Sequence, residues 1–261
     1  SAAIEGAVGV AASDLFGLGL LADDVTRAEL AGLCQRAENE IALAPTGGMD
    51  QAASLRARPG HALGLDCADH SVVHVPFDLD PAGLVLLVID TRAHHANADG
   101  QYGARRADCE QACRELGVAT LREIGPEGLA AALARLSGER LRRRVRHIVT
   151  EIERVRQATA ALQRGDFAEL GRLFDASHVS MRDDYEISCP ELDVAQAAAL
   201  AAGALGARMT GGGFGGSAIA LVPAAAVAAT EAAIRAAYAE RGWGDPAFIM
   251  AVAGGPGARV V

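Results

Sequence analysis

The sequence contains no lysine; its 24 basic residues are all arginine. That excludes a phosphate loop of the GxxxxGK[ST] kind, a lysine nucleophile and a lysine phosphate clamp. Cysteine is sparse and scattered, at positions 34, 67, 109, 113 and 189 with no C-x-x-C pair, so neither a disulfide framework nor a zinc site is indicated. Cys109 and Cys113 share a helix face at i, i+4, but two thiols without further ligands read as small buried fillers. No apolar run reaches about 18 residues and no signal peptide opens the chain, so a soluble, cytoplasmic protein is expected. Positive charge is in deficit, 24 basic against 33 acidic residues for a net charge of −9, which argues against a nucleic-acid or membrane-surface binder. Aromatics are only 4% of the residues. None interleaves the run Arg142-Arg143-Arg144-Val145-Arg146, and Glu139, Glu151 and Glu153 flank it, so it reads as a solvated helix face. An initiating methionine is absent too. Ser1-Ala2-Ala3-Ile4-Glu5 reads as the first turn of a helix running to about Leu21 with Ser1 placed as N-cap, which suggests that something upstream has been removed.

What is abundant is glycine in one place. The stretch Arg208-Met209-Thr210-Gly211-Gly212-Gly213-Phe214-Gly215-Gly216-Ser217 runs straight into the apolar segment Ala218 to Val222. Each glycine costs backbone entropy and adds nothing to a core, so this density marks backbone that must approach something closely. A linker would lead into more polar sequence, whereas a buried strand follows here, so a rigid turn is the better reading. Successive N–H groups in such a turn suit an anion, with phosphate the default guest. It is not a Rossmann fingerprint, because the strand follows the glycines and no acidic residue sits about 20 residues on in a second strand.

The length of 261 residues with 51% hydrophobic content suits two domains. A helix is expected from about Thr26 to Leu43, ending at Pro45-Thr46-Gly47-Gly48, a turn that presents Met49-Asp50-Gln51. On its position in the turn alone, Asp50 reads as an Asx cap for the next element. From Gln51 to Phe77 the pattern is strand-like, with Ala53 to Arg56, His61 to Asp66 and Val72 to Phe77 forming a meander of hairpins. His61, His70 and His74 on it read as exposed or strand-edge residues rather than metal ligands. Asp78-Leu79-Asp80-Pro81 is the expected domain junction, dividing residues 1–80 from 81–261, and Leu84 to Ile89 is a central strand. A polar loop through Asp90 to His95 and Asp99 to Tyr102 then leads into a helix from about Gly103 to Leu116. Helices are expected over 126–136, 139–162, 167–178, 192–205 and 224–241, with a last strand over 247–253.

Several blocks together carry a family resemblance. They are Ala37-Glu38-Asn39, Gly48-Met49-Asp50-Gln51, Gly100-Gln101-Tyr102 with Arg105-Arg106 and Cys109-Glu110, Ser177-His178, Arg182 to Asp193, and the glycine stretch. In these the chain resembles the galactokinase family of GHMP sugar kinases over essentially its whole length. RDDYE-x-SCPELD and MTGGGFGG together are highly specific; either alone leaves other GHMP kinases open.

The resemblance implies an α+β, two-domain GHMP kinase fold. Residues 1–80 would be a truncated nucleotide-binding domain like ribosomal protein S5, and 81–261 a ferredoxin-like domain. It implies phosphorylation of D-galactose at its C1 hydroxyl with ATP and Mg²⁺, by a monomer that binds neither nucleic acid nor membrane. Asp50 matches the catalytic aspartate; Gly47, Asp50 and Tyr102 match sugar contacts. Glu38 matches a Mg²⁺ ligand, joined by Ser1, which would also contact ATP. Gly211, Gly212 and Gly213 match the nucleotide-side motif that braces the active site, which softens a direct phosphate cradle to close approach. Most of the family's phosphate loop and its N-terminal sugar-binding segment are not in this sequence. Another sugar kinase, such as an arabinokinase, and a non-catalytic sugar and nucleotide sensor are the alternatives.

Overall fold

The computed structural model describes residues 2–42, 47–93 and 98–257; the side chains of residues 98, 99 and 102 also lie outside the description. The chain divides into two compact units, one formed by the sequence up to Asp78 with the segment from Val252 onward, the other by Leu79–Ala251.

In the first unit, helix α1 covers Ala2–Phe16 and α2 covers Asp24–Arg36. A capping box starts α2. The Asp23 carboxylate accepts from the Thr26 amide at 2.9 Å, and the Thr26 hydroxyl accepts from the Asp23 amide at 3.2 Å. At Ala37 the helix widens into a π-helical turn, Ala37–Ile41, which rotates Glu38 into the interior. Helix α3, Met49–Arg56, opens at Gly48, whose φ of 77° lies in the left-handed region. The sequence pattern suggests a strand over Ala53 to Arg56, but the structure shows a helix. Ala, Gln, Leu and Arg favour helix, and Leu55 packs with Leu30, Ala31 and Cys34 of α2. Arg56 closes the arrangement with a bidentate pair to Asp24 (3.1 and 2.8 Å) and a 2.6 Å bond to the His70 carbonyl. That carbonyl belongs to the turn of an antiparallel hairpin, β1 His61–Leu65 with β2 Val72–Pro76, in the register His61↔Pro76. The C-terminal segment returns to this unit through Gly60 N–H to Ala253 O (2.9 Å) and Gly257 N–H to Ser54 O (3.0 Å).

The second unit is built on a four-stranded sheet of β3 Leu84–Asp90, β4 Gly206–Thr210, β5 Ser217–Pro223 and β6 Ala247–Ala251, in the order β4-β5-β3-β6 with all neighbours antiparallel. One sheet face contributes Leu87, Ile89, Met209, Ala218 and Ala220 to a core completed by Leu192, Ala195, Ile234 and Tyr238. These last four come from α8 (Pro190–Ala201) and α9 (Val227–Ala239). A second core joins α4 (Ala98–Leu116), α5 (Leu129–Arg135) and α6 (Glu139–Gln163) through Ala112, Leu116, Leu136, Leu141, Val145 and Val149. Helix α7, Phe167–Ser180, lies against β4 so closely that a Cβ on Gly171 would stand 3.1 Å from the Gly206 nitrogen and closer still to the Leu205 carbonyl.

Three expectations are corrected here. Residues 99–102 belong to α4 rather than to a loop. Strand β4 precedes the glycines, so they join a hairpin rather than opening a lone strand. And Arg144 is 1% exposed, so the arginine run is not simply a solvated face.

Candidate active site

The sequence-derived site residues fall in both units. In the first, Glu38 is 5% exposed in the π-helical turn. Gln51 is 1% exposed, and its Nε2 donates to Glu38 Oε2 at 2.6 Å and to Glu5 Oε2 at 3.1 Å. One amide thus ties α1, the π turn and α3 together. Asp50, the residue before it, sits exposed in the first turn of α3, because adjacent helical positions point about 100° apart. Burying Gln51 against two carboxylates therefore fixes the direction in which Asp50 faces solvent. Gly47 is exposed just ahead of the Gly48 cap. Ser1 and the Pro45-Thr46 part of the turn lie outside the described residues.

In the second unit, Gly211 to Gly216 form the connection between β4 and β5. Positive φ angles occur at Gly211 (85°), Gly213 (88°), Phe214 (63°), Gly215 (143°) and Gly216 (81°). The close approach inferred from glycine density is real at Gly213. A Cβ there would lie 2.8 Å from the Ile187 Cβ and inside contact distance of the Ile187 carbonyl oxygen, which accepts the Phe214 N–H at 2.6 Å. Around Gly211 and Gly212 there is open space. On the far side, Thr91 bonds the Gly216 carbonyl through its hydroxyl (2.5 Å) and its amide (3.0 Å).

Ile187 belongs to the RDDYE-x-SCPELD block, which is fixed by buried charge. Arg144 reaches Asp108 Oδ2 (3.2 Å), the Asp184 carbonyl (2.5 Å) and Glu186 Oε2 (2.6 Å). Arg143 adds a bond to Glu186 Oε1 (2.9 Å) and Arg146 one to Asp184 Oδ1 (2.7 Å). Partial burial works against a charge on Glu186, but the Arg144 and Arg143 guanidiniums outweigh it and hold its carboxyl below the usual range. His178 is fully buried. Its Nδ1 accepts the Met209 N–H at 3.1 Å, so Nε2 carries the proton and donates to Asp193 Oδ1 at 3.1 Å. Burial opposes the charge of Asp193 as well, but donation from His178 and from Ser188 (2.5 Å) keeps its carboxyl low. Tyr102 lies in α4, three residues before Arg105; its side chain and residues 94–97 lie outside the description.

Sequence reasoning missed the roles of Gln51, Glu5 and Arg144. Their partners are 13 to 46 residues away, and no local period encodes such distances. The one available signal was the polar Gln51 at a position that packing buries.

Comparison with known proteins fits this layout. The family model described as GHMP kinases N terminal domain matches residues 1–58, and GHMP kinases C terminal matches residues 158–240, together more than half of the chain. A galactokinase of Streptomyces coelicolor is 50% identical over 262 residues, taking in 100% of this chain and 66% of that protein. A human galactokinase is 48% identical over 208 residues, or 79% of this chain and 52% of its own length. A solved galactokinase of Lactococcus lactis, complexed with galactose, matches with a TM-score of 0.92 at 34% identity, over 100% of this chain and 66% of that one. The chain thus spans about half to two thirds of the length of these relatives. With both family domains represented and a two-domain α+β architecture that a solved relative shares, the chain belongs to the GHMP kinase family and is homologous to its galactokinases.

Proposed function

We propose that this chain is part of a monomeric, cytoplasmic enzyme that transfers the γ-phosphoryl group of ATP to the C1 hydroxyl of D-galactose, giving galactose 1-phosphate and ADP. The observation that carries this reading is the arrangement around α3. Asp50 stands exposed in the first helical turn, and the next residue is locked inward between Glu38 and Glu5.

Phosphoryl transfer asks mainly for positioning and charge neutralisation. Asp50 takes the proton of the sugar hydroxyl as that oxygen bonds to the γ-phosphorus, and the bond to the β,γ-bridging oxygen breaks to release ADP. Gly47 and Tyr102 are the further sugar contacts, Gly211–Gly213 the nucleotide-side brace, and Ser1 an ATP contact. Glu38, with Ser1, is the magnesium-side donor. A hard carboxylate oxygen suits that ion, which typically takes one or two carboxylates and completes its shell with phosphates and water. Glu38 is buried with its Oε2 held by Gln51, so its carboxylate is oriented in advance for such a role. When bound, the ion supplies charge neutralisation at the phosphates.

The test is ADP release by the full-length gene product with ATP, Mg²⁺ and galactose, with the product read by phosphorus NMR. Galactose-dependent ADP matched by sugar 1-phosphate is expected. Turnover with arabinose and none with galactose would overturn the substrate; binding of sugar and nucleotide without turnover would overturn the enzyme.

A further inference from the structure

The Tyr185 to Ile187 segment is gripped from two sides. Helix α6 holds it through Arg144, as described above. Helix α4 holds it through Arg105, whose Nε donates to the Tyr185 carbonyl at 2.6 Å and whose Nη2 donates to the Glu186 carbonyl at 2.7 Å. Both bonds go to backbone oxygens of consecutive residues, so the planar fork of the guanidinium matters as well as its charge. The same guanidinium lies over the Phe214 ring, 5.7 Å from the centroid, and Phe214 occupies a left-handed conformation in the glycine loop. Glu186 has a φ of 56°, so the two chain segments that Arg105 bridges each contain a non-glycine residue in a sparsely populated region. Such geometry persists only where the surroundings over-determine it. Half-burial, and after it the nearby Arg144 charge, pulls the Arg105 pKa below its ordinary value.

We infer that Arg105 is a positioning residue for the glycine loop. One guanidinium clamps the Tyr185–Glu186 backbone and the Phe214 ring, and so fixes Gly213 and the Phe214 amide against Ile187. The inference rests on the proposed function for its catalytic consequence but not for its structural content, so the two are tested by different readouts.

The experiment uses the full-length protein and two variants. Arg105→Lys keeps the charge and the alkyl stem but cannot reach two carbonyls at once; Phe214→Leu keeps the loop backbone and removes the ring. Amide hydrogen exchange is followed at Phe214 and, as reference, at the buried strand amides of β3 and β5. In Arg105→Lys the Phe214 amide is expected to exchange about 10- to 100-fold faster while the reference amides hold, the scale of losing charge-assisted bonds from a local opening equilibrium. A smaller acceleration is expected in Phe214→Leu. Unchanged exchange at Phe214 in Arg105→Lys, or an equal acceleration of all amides, overturns the inference. In the activity assay, Arg105→Lys should raise KM for ATP more than it lowers kcat. An equal fall of kcat at unchanged KM would contradict the link to the nucleotide, and absence of wild-type turnover would strike the proposed function without touching the exchange result.

Discussion

Alanine substitution along the glycine loop separates conformational need from steric need. At Gly212 φ is not in the left-handed region and nothing lies within 4 Å of an added Cβ. Gly212→Ala should therefore change stability by no more than about 0.5 kcal/mol. At Gly211 there is also space, but φ is 85°, so Gly211→Ala should cost about 1–2 kcal/mol in backbone strain alone. At Gly213 φ is 88° and the new methyl meets the Ile187 backbone and Cβ, the latter at 2.8 Å where ordinary contact begins at 3.4 Å. Relief requires a shift of roughly half an ångström or more in a segment clamped by Arg105 and Arg144, and loosens the Phe214–Ile187 hydrogen bond, worth about 1 kcal/mol. The total for Gly213→Ala is about 2–4 kcal/mol. Urea unfolding at constant m-value measures the series. Equal costs at Gly212 and Gly213, or a neutral Gly213→Ala, would refute the inference that this glycine exists for close approach.

Other consequences follow from buried polar groups. Burial above all lowers the His147 pKa to about 4; Glu151 and Asp184 push it up, Arg154 and Arg208 down, while the ring stacks on Tyr185 and its Nδ1 meets Ser180. An unfolded histidine titrates near 6.5, so the unfolded state binds the extra proton between the two values. Stability is fully present above pH 6.5, falls as pH drops towards 4, and loses nothing more from this group below that. The drop between pH 7.5 and 4.5 is about 2–3 kcal/mol; His147→Gln should lack it, so that it appears as the slope of the wild-type-minus-variant profile in urea titrations. Arg144→Met should cost about 3–5 kcal/mol in the same assay, because among the described residues it leaves Asp108 only the Arg140 ion pair and strips Glu186 of its shortest partner. Gln51→Leu removes the donor that orients Glu38, and the Mg²⁺ concentration for half-maximal activity should rise about tenfold.

Much of the second unit was legible because its elements are long and locally consistent. Helices over 139–163 and 167–180 and the strand at Leu84–Asp90 follow from periodicity and flanking turns. The glycine loop announced a close approach but not its partner, since Ile187 is far along the chain and meets Gly213 only after folding. Strand β4 was hidden by the alanine-rich run before it, which reads as a continuing helix. Helix α3 was misread because eight residues are too few for a helical period to outvote short-range alternation, and packing on α2 decides the outcome. Asp50 and Glu38 were named through resemblance; what directs them, an amide buried between two carboxylates, was not legible. Arg144 shows the general reason: a charged helix residue looks solvated until its acidic partners are brought to it by the fold.

The most direct measurement is the turnover of Asp50→Asn in the full-length protein, alongside calorimetric binding of galactose. Asparagine keeps the size and helix position of Asp50 but cannot accept the hydroxyl proton, so kcat should fall about 10²- to 10⁴-fold while galactose still binds and stability changes little. An Asp50→Asn enzyme that turns over galactose at the wild-type rate would show that the proton goes elsewhere.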